Sequence, residues 1–412
     1  MKRKSLVMVL AAAMTLGCCS VNVMADDGVT IQFWNSFTGT DGDVLREIVD
    51  RFNEENEDGI TVEMDIMPSD TLTEKVAPAL AANTAPALLV LHDMEWPAYA
   101  NADNLLPVDD FFETTGMDKD NFEQSALASY AKDGTQYAIP MEWYAQYLFY
   151  NKDLFEEAGI ENPPTTWDEL AEDASKITNP DKKVYGVGLA VSGAVPWFTS
   201  VMYSNGGAVF NEDGTASALD SEENLNTLKW VQNIVNNGDS PQGATGADLD
   251  NLMMANQLGM VVNGPWMVNG LNENGINWGV APIPSGSEKQ TAISELTGYC
   301  IPKGTSDEQK AAAYKFIKYW CSDEIAKEWS TRNAFPPYLK SVEEDADIQS
   351  DDLIKTFSSV TEIGVPFGTG ISQAAEVNTN VLFPMIENVI AGEDVETQLK
   401  DASSQIDEIL AR

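Results

Sequence analysis

Between Val29 and Leu91 the hydrophobic spacing alternates between strand-like and helix-like. Val29–Trp34 (VTIQFW), Ile60–Ile66 and Ala87–Leu91 read as strands. Helices are expected over about 43–54, with Val44, Leu45, Ile48, Val49 and Phe52 on one face, and about 70–82. A β-α-β-α-β run of this kind favours a mostly parallel sheet with helices on both faces. The first strand feeds the polar loop Asn35-Ser36-Phe37-Thr38-Gly39, which opens onto a helix start. Open α/β sheets bind ligands at such junctions.

What precedes this run is an export signal. Lys2, Arg3 and Lys4 form a basic start, and Leu6–Leu16 is an apolar stretch short for a bilayer span. Val23-Met24-Ala25 fits signal-peptidase cleavage, leaving Asp26 as the mature N-terminus. Leu16-Gly17-Cys18 offers the alternative of a lipid anchor on Cys18. No later stretch approaches ~18 uninterrupted apolar residues, so no membrane span is expected. Cleavage after Ala25 takes the formal charge from −41 to −44 over 387 residues, length enough for roughly two domains. So acidic a chain repels nucleic acid and anionic lipid. Cys300 and Cys321 would be the remaining cysteines; a disulfide between them is allowed but not implied, and neither belongs to a CxxC pair.

Further along, Thr166-Trp167-Asp168-Glu169 and Ser306-Asp307-Glu308-Gln309 read as capping boxes. The first opens a helix carrying Leu170, Ala174 and Ile177. The second opens one with Ala312, Ala313, Phe316, Ile317 and Trp320 inward, and a last helix is expected over about 394–410.

Positive signals for catalysis are lacking. His92 is the one histidine, which leaves little for a hydrolase triad or a His-rich metal site. No GxSxG, HExxH or GxxxxGKS/T motif occurs. Neither a metal nor a cofactor is expected. Aromatics say more. Trp34 ends a strand, Trp96 precedes a proline, Trp197 follows one, and Trp266 lies in Asn263-Gly264-Pro265-Trp266. Aromatic faces stack on the apolar face of a pyranose while carboxylates and amides bond its hydroxyls, so a cleft of that make-up binds a neutral polyol. Trp230, Trp320 and Trp329, on expected helices, read instead as core.

The chain resembles the extracellular solute-binding proteins of ABC importers, in the branch serving sugars. Val29–Asn56 looks like the family's opening strand and helix, and Ala82–Leu91 and Asn104–Asp109 like its next two signatures. Tyr137–Phe155 (YAIPMEWYAQYLFYNKDLF) is the most specific segment. Pro163–Leu170, Gly259–Trp266, Trp278–Pro284 and Gly298–Gly304 follow in the family's order. The resemblance implies a periplasmic-binding-protein-like α/β fold, in which two lobes are joined by a three-segment hinge and close on ligand between them. Crossings are expected near Ile139-Pro140, Ser294–Thr297 and Asp347–Asp351. These would put 26–139 and 297–347 in the first lobe, and 140–296 and 348–412 in the second.

By the same resemblance, ligand contacts are expected at Asn35, Ser36, Asp70 and Asp93 of the first lobe. Glu142, Trp143 and Tyr144 follow the first crossing, Trp197, Gly207 and Trp266 lie in the second lobe, Tyr299 follows the second crossing, and Phe367 belongs to a late loop. Gly206-Gly207 also reads as a plain turn, and Tyr144 as core. The implied partners are a carbohydrate and the permease subunits of an ABC transporter, with the receptor monomeric and at the cell envelope. The opening also resembles glycerol-3-phosphate-binding members, whose late loop carries an arginine for the phosphate. Here Gly368-Thr369-Gly370-Ile371-Ser372-Gln373 has no cation, and a buried phosphate without one is costly. A neutral mono- or oligosaccharide is therefore expected. Glycerol phosphate or a glycerophosphodiester is the alternative. A secreted glycoside hydrolase stands third, needing two carboxylates about 5–10 Å apart such as Glu142 and Asp93.

Overall fold

A computed structural model describes residues 28–360, 363–368 and 370–412. The leader, its cleavage site and Cys18 lie outside the described residues. Strands β1 (Thr30–Asn35), β2 (Thr61–Ile66) and β3 (Leu88–His92) pair in parallel with β1 central. Strand β1 turns Ile31, Phe33 and Asn35 inward. The helix between β1 and β2 runs Thr40–Glu55, three residues earlier than its apolar spacing predicts. Thr40-Asp41-Gly42 reads as a turn, but a Cβ on Gly42 would lie 2.0 Å from the Phe37 carbonyl oxygen, so glycine lets the helix begin tight against the preceding loop. At its other end, Asn53 exchanges two hydrogen bonds with the Val62 backbone, and Asn56 does the same with Ile60. Together they cover part of the open edge of β2.

Among the remaining strands, β4 (Ala131–Lys132) and β5 (Thr135–Gln136) form a small hairpin. The others are β6 (Ala138–Ala145), β7 (Tyr147–Asn151), β8 (Tyr185–Gly188), β9 (Leu258–Asn263), β10 (Trp278–Pro282), β11 (Ala292–Cys300) and β12 (Gly364–Pro366). The first sheet has the order β2-β1-β3-β11-β12, with β6 also paired to β11. The expected parallel pairing holds for β1, β2 and β3. Strand β11 lies antiparallel to β3 and β6, to which it returns after an excursion of more than 140 residues. The second sheet, β10-β7-β9-β8, is antiparallel except for β8 on β9.

Two α/β lobes result. Helices Thr40–Glu55, Asp307–Trp320 and Asp323–Asn333 cover one face of the first sheet, with Phe33, Phe316, Trp320 and Trp329 in one aromatic core. Leu72, Val76, Trp96 and Tyr130 cover the other face. The second lobe's core gathers Phe149, Leu170, Phe198, Val231, Met260 and Ile386. Core membership passes from the first lobe to the second between Tyr144 and Ala145, back between Ile293 and Leu296, and over again between Ile354 and Phe357.

Local signals hold with one adjustment. Ser306 and Gln309 form a full capping box. Thr166 caps the Glu169 amide, but the Glu169 carboxylate reaches Thr165, one residue further out. The last helix is Val395–Leu410. Trp320 and Trp329 are core, whereas Trp230 is half-buried. Cys300 and Cys321 are free and buried on opposite faces of the first sheet. Among the described residues no helix is long and apolar enough to cross a membrane.

Candidate functional site

Register fixes which side chains share the face at the carboxyl ends of β1 and β3. Thr297 on β11 stands opposite His92 of β3 on one side and Glu142 of β6 on the other. Glu295, two residues earlier on β11, stands opposite Tyr144. Strands lie about 5 Å apart and alternate residues share a face, so these five form one polar patch. Asn35, the last residue of β1, continues it. A bulge between Thr297 and Gly298, with Met141 as the extra residue on β6, bends the pair at this point.

Most of the patch is out of water. Asn35, Glu142, Glu295 and Thr297 are 0–5% exposed. Glu142 accepts a hydrogen bond from the Trp329 indole at 3.0 Å. Burial, then the nearby Asp41 carboxylate, pushes its carboxyl well above the usual range. The Tyr144 hydroxyl donates to Glu295 Oε2 at 3.0 Å, and His92 Nδ1 lies 3.8 Å from that oxygen. Asp93 follows β3, with its amide donating to the Leu296 carbonyl. Burial, then Glu295, raises its carboxyl to about 7. Asp41, in the first turn of its helix, is raised to about 6, chiefly by burial.

The patch also holds unpaired polar atoms. Asn35 Nδ2, His92 Nδ1 and Glu295 Oε1 have no hydrogen-bond partner in the protein, and Gln146 Nε2 and Thr297 Oγ1 have only the nearby Glu295 and Glu142 carboxylates, short of full hydrogen-bond geometry. Folded proteins pair the great majority of such groups. A concentration of them at strand ends marks a place shaped for something other than the chain itself.

Aromatic rings from both lobes close over this patch. Trp266 packs against both cores and meets Tyr144 edge to face at 5.0 Å. Its ring folds back over Gly264, where a Cβ would lie 2.0 Å from it. Asn269, behind Trp266 in the second lobe, donates to Asn333 of the first at 2.9 Å. Asn101 and Ser372 make a second bridge. The lobes are thus in contact at two further places.

The residues expected from sequence separate into two groups. Asn35, Asp93, Glu142, Tyr144 and Trp266 come together, with half-buried Ser36 in the adjoining loop. Trp143, half-buried, alternates to the other side of β6 and donates its indole N–H to the Pro337 carbonyl. Asp70 lies in the first turn of helix Ser69–Ala81, and its side chain is outside the described residues.

Three expectations are corrected. Trp197 is 3% exposed in the second core, its indole N–H held by the Ala190 carbonyl. Tyr299 is fully buried among Phe33, Phe316 and Trp320. Phe367 packs on Phe210 in the second core. Gly207 is a close-packing position: a Cβ there would lie 2.0 Å from Asn224 Oδ1. Sequence reasoning missed Asp41, Gln146, Glu295 and Thr297 as site residues. A glutamate inside Ile293-Ser294-Glu295-Leu296, on a strand buried throughout, was the available signal for the third of these.

Fold and site together define a two-lobed α/β binding protein. The chain belongs to the bacterial extracellular solute-binding protein family, whose profile matches residues 47–356. Membership makes it an exported protein of a binding rather than a catalytic family. It is 27% identical over 296 residues to the maltotriose-binding protein of Pyrococcus abyssi, covering 69% of this chain and 61% of that one. Over 93% of its length it is 24% identical to the sn-glycerol-3-phosphate-binding periplasmic protein UgpB of Agrobacterium fabrum, covering 91% of that protein. Its fold is similar to that of an ABC transporter solute-binding protein from Thermotoga lettingae crystallised with alpha-D-tagatose. The TM-score is 0.85 at 24% identity, over 93% of this chain and all of that one.

Proposed function

We propose that this protein is a non-catalytic receptor that captures a carbohydrate between its lobes and delivers it to the permease of an ABC transporter. The observation that carries this reading is the group of unpaired buried polar atoms at the ends of β1 and β3, beneath Tyr144 and Trp266. Donors and acceptors mixed at one place suit hydroxyl groups, which are both, and the rings suit the apolar face of a sugar. Ligand contacts made by both lobes favour the closed arrangement, and the permease would read that population shift.

In this reading Asn35, Ser36, Asp93, Glu142, Tyr144, Glu295 and Trp266 contact ligand. The chain changes lobes at 144–145, 293–296 and 354–357, and the mature receptor begins at Asp26 and works as a monomer. Similarity to a glycerol-3-phosphate-binding protein favours a second reading. Against it stands the absence of any lysine or arginine from the late loop 368–373.

A thermal-shift screen of the protein from Asp26 tests this against mono- and oligosaccharides with glycerol-3-phosphate alongside. Ligand that binds only the native state raises the melting temperature by mass action. A shift with one sugar class supports the reading. A shift with glycerol-3-phosphate alone overturns it.

A further inference from the structure

Four carboxyl side chains, Asp41, Asp93, Glu142 and Glu295, crowd the inter-lobe site, each no more than 7% exposed. Three of them are answered by the protein: Asp41 accepts from the Gly42 amide, Glu142 from the Trp329 indole, and Asp93 from the Leu296 and Met94 amides. Glu295 has one oxygen on the Tyr144 hydroxyl and the other unpaired. Most of their charged neighbours are carboxylates too: Asp41 beside Glu142, Glu295 beside Asp93, with Asp43 and Glu95 close by. Among the described residues the basic side chain beside them is His92, a quarter exposed and 3.8 Å from Glu295. Lys75 sits over the Trp34 ring, but Trp34 precedes Asn35 and so faces the opposite side of β1.

Buried carboxylates without a cation repel one another and resist ionisation, whereas a positive charge among them reverses both effects. The other unpaired atoms limit what that cation can be. Asn35 Nδ2 is a fully buried donor without a partner, and it calls for an acceptor oxygen on the same ligand. The Thr297 hydroxyl, between His92 and Glu142, can serve either way. A bare metal ion offers no such acceptors, and among the described residues no group of His, Cys, Asp and Glu is arranged to hold one. Tyr144 and Trp266 add aromatic surface that attracts an ammonium group.

We propose that the ligand is a polyol bearing a protonated amine, an amino sugar, with its ammonium group between Glu295 and Asp93 and an oxygen on Asn35. This rests on the carbohydrate reading and narrows it.

Titration calorimetry near pH 7 tests it with D-glucosamine, D-galactosamine and the chitosan di- and trisaccharides. D-glucose, D-galactose and the N-acetyl forms of each amine serve as uncharged counterparts, beside glycerol-3-phosphate. The expected result is at least tenfold tighter binding of one amine than of its uncharged counterparts. Glu295→Gln removes the charge and keeps the shape, and it should abolish that preference, bringing the amine down to the affinity of its uncharged counterpart in the same variant. Asp93→Asn, with the Leu296 and Met94 amides still bonded, is the second variant and should reduce the preference severalfold. Neutral sugars binding as tightly as amines would overturn the inference and leave the carbohydrate reading standing. Binding of glycerol-3-phosphate alone would overturn both. Absence of binding across the amines, or an amine preference intact in both variants, would also overturn it.

Discussion

The carboxyl group of Asp93 should make the unliganded protein less stable as the pH rises, and replacing it should remove that effect. Burial first, and Glu295 second, raise it from 3.8 to about 7 in the folded state. The native protein therefore holds this proton more tightly than the unfolded chain does. Below about 4 both states carry it and nothing is lost. Between about 4 and 7 the unfolded state sheds it first, and the native state weakens; above 7 the full penalty applies. The difference of about three units corresponds to at most about 4 kcal/mol. Asp93→Asn keeps the shape and removes the charge. At a specific unfolding entropy of about 2 cal/mol/K per residue, this chain length converts the gain to about 5 °C in melting temperature at pH 8. At pH 4 the variant and the parent should melt together. Scanning calorimetry of both proteins at the two pH values gives a difference of differences in which other titrating groups cancel. Equal melting temperatures at pH 8, or a variant that melts lower there, would refute the reasoning.

Three further outcomes follow from the packing. Trp266→Ala should weaken sugar binding at least tenfold, since Trp266 packs on both cores; calorimetry reads the affinity, and small-angle scattering should show a more open unliganded form. Gly42→Ala forces a Cβ against the Phe37 carbonyl and should cost about 1–3 kcal/mol in urea unfolding. Phe367→Leu should lower stability by about 1 kcal/mol while leaving affinity unchanged, because the ring is filling a core. A loss of affinity there would return Phe367 to the site.

The opening β-α-β-α-β run was legible because its apolar spacing is local and its helices are amphipathic. The order of pairing was less so. Nothing local in Ala292–Cys300 says that it lies antiparallel to β3 and β6, since register across such distances is set by the intervening lobe. For the candidate site, Asn35 was readable as the end of a strand that opens onto a helix, while Asp93 came from the family resemblance; both lie in the buried polar patch. Trp197, Tyr299 and Phe367 were not readable, because an aromatic in a loop-like context looks the same whether its ring turns to a cleft or to a core. Glu295 and Thr297 were hidden for a related reason. They lie in the segment expected to be a hinge, and only the register with Tyr144, Glu142 and His92 gives them neighbours.

Strand β11 has consequences for how the protein is made. It pairs with β3, which ends at residue 92, yet it begins at residue 292. The first lobe thus cannot complete its sheet until the whole second-lobe excursion has been synthesised. Contacts of such sequence separation form slowly. An exported chain that passes the membrane unfolded gains from that delay: its own topology holds back the native state until translocation is nearly over. The same feature makes the first lobe's opening segment, expressed without β11, a fragment with an unfinished sheet, open to aggregation along the exposed edge of β3.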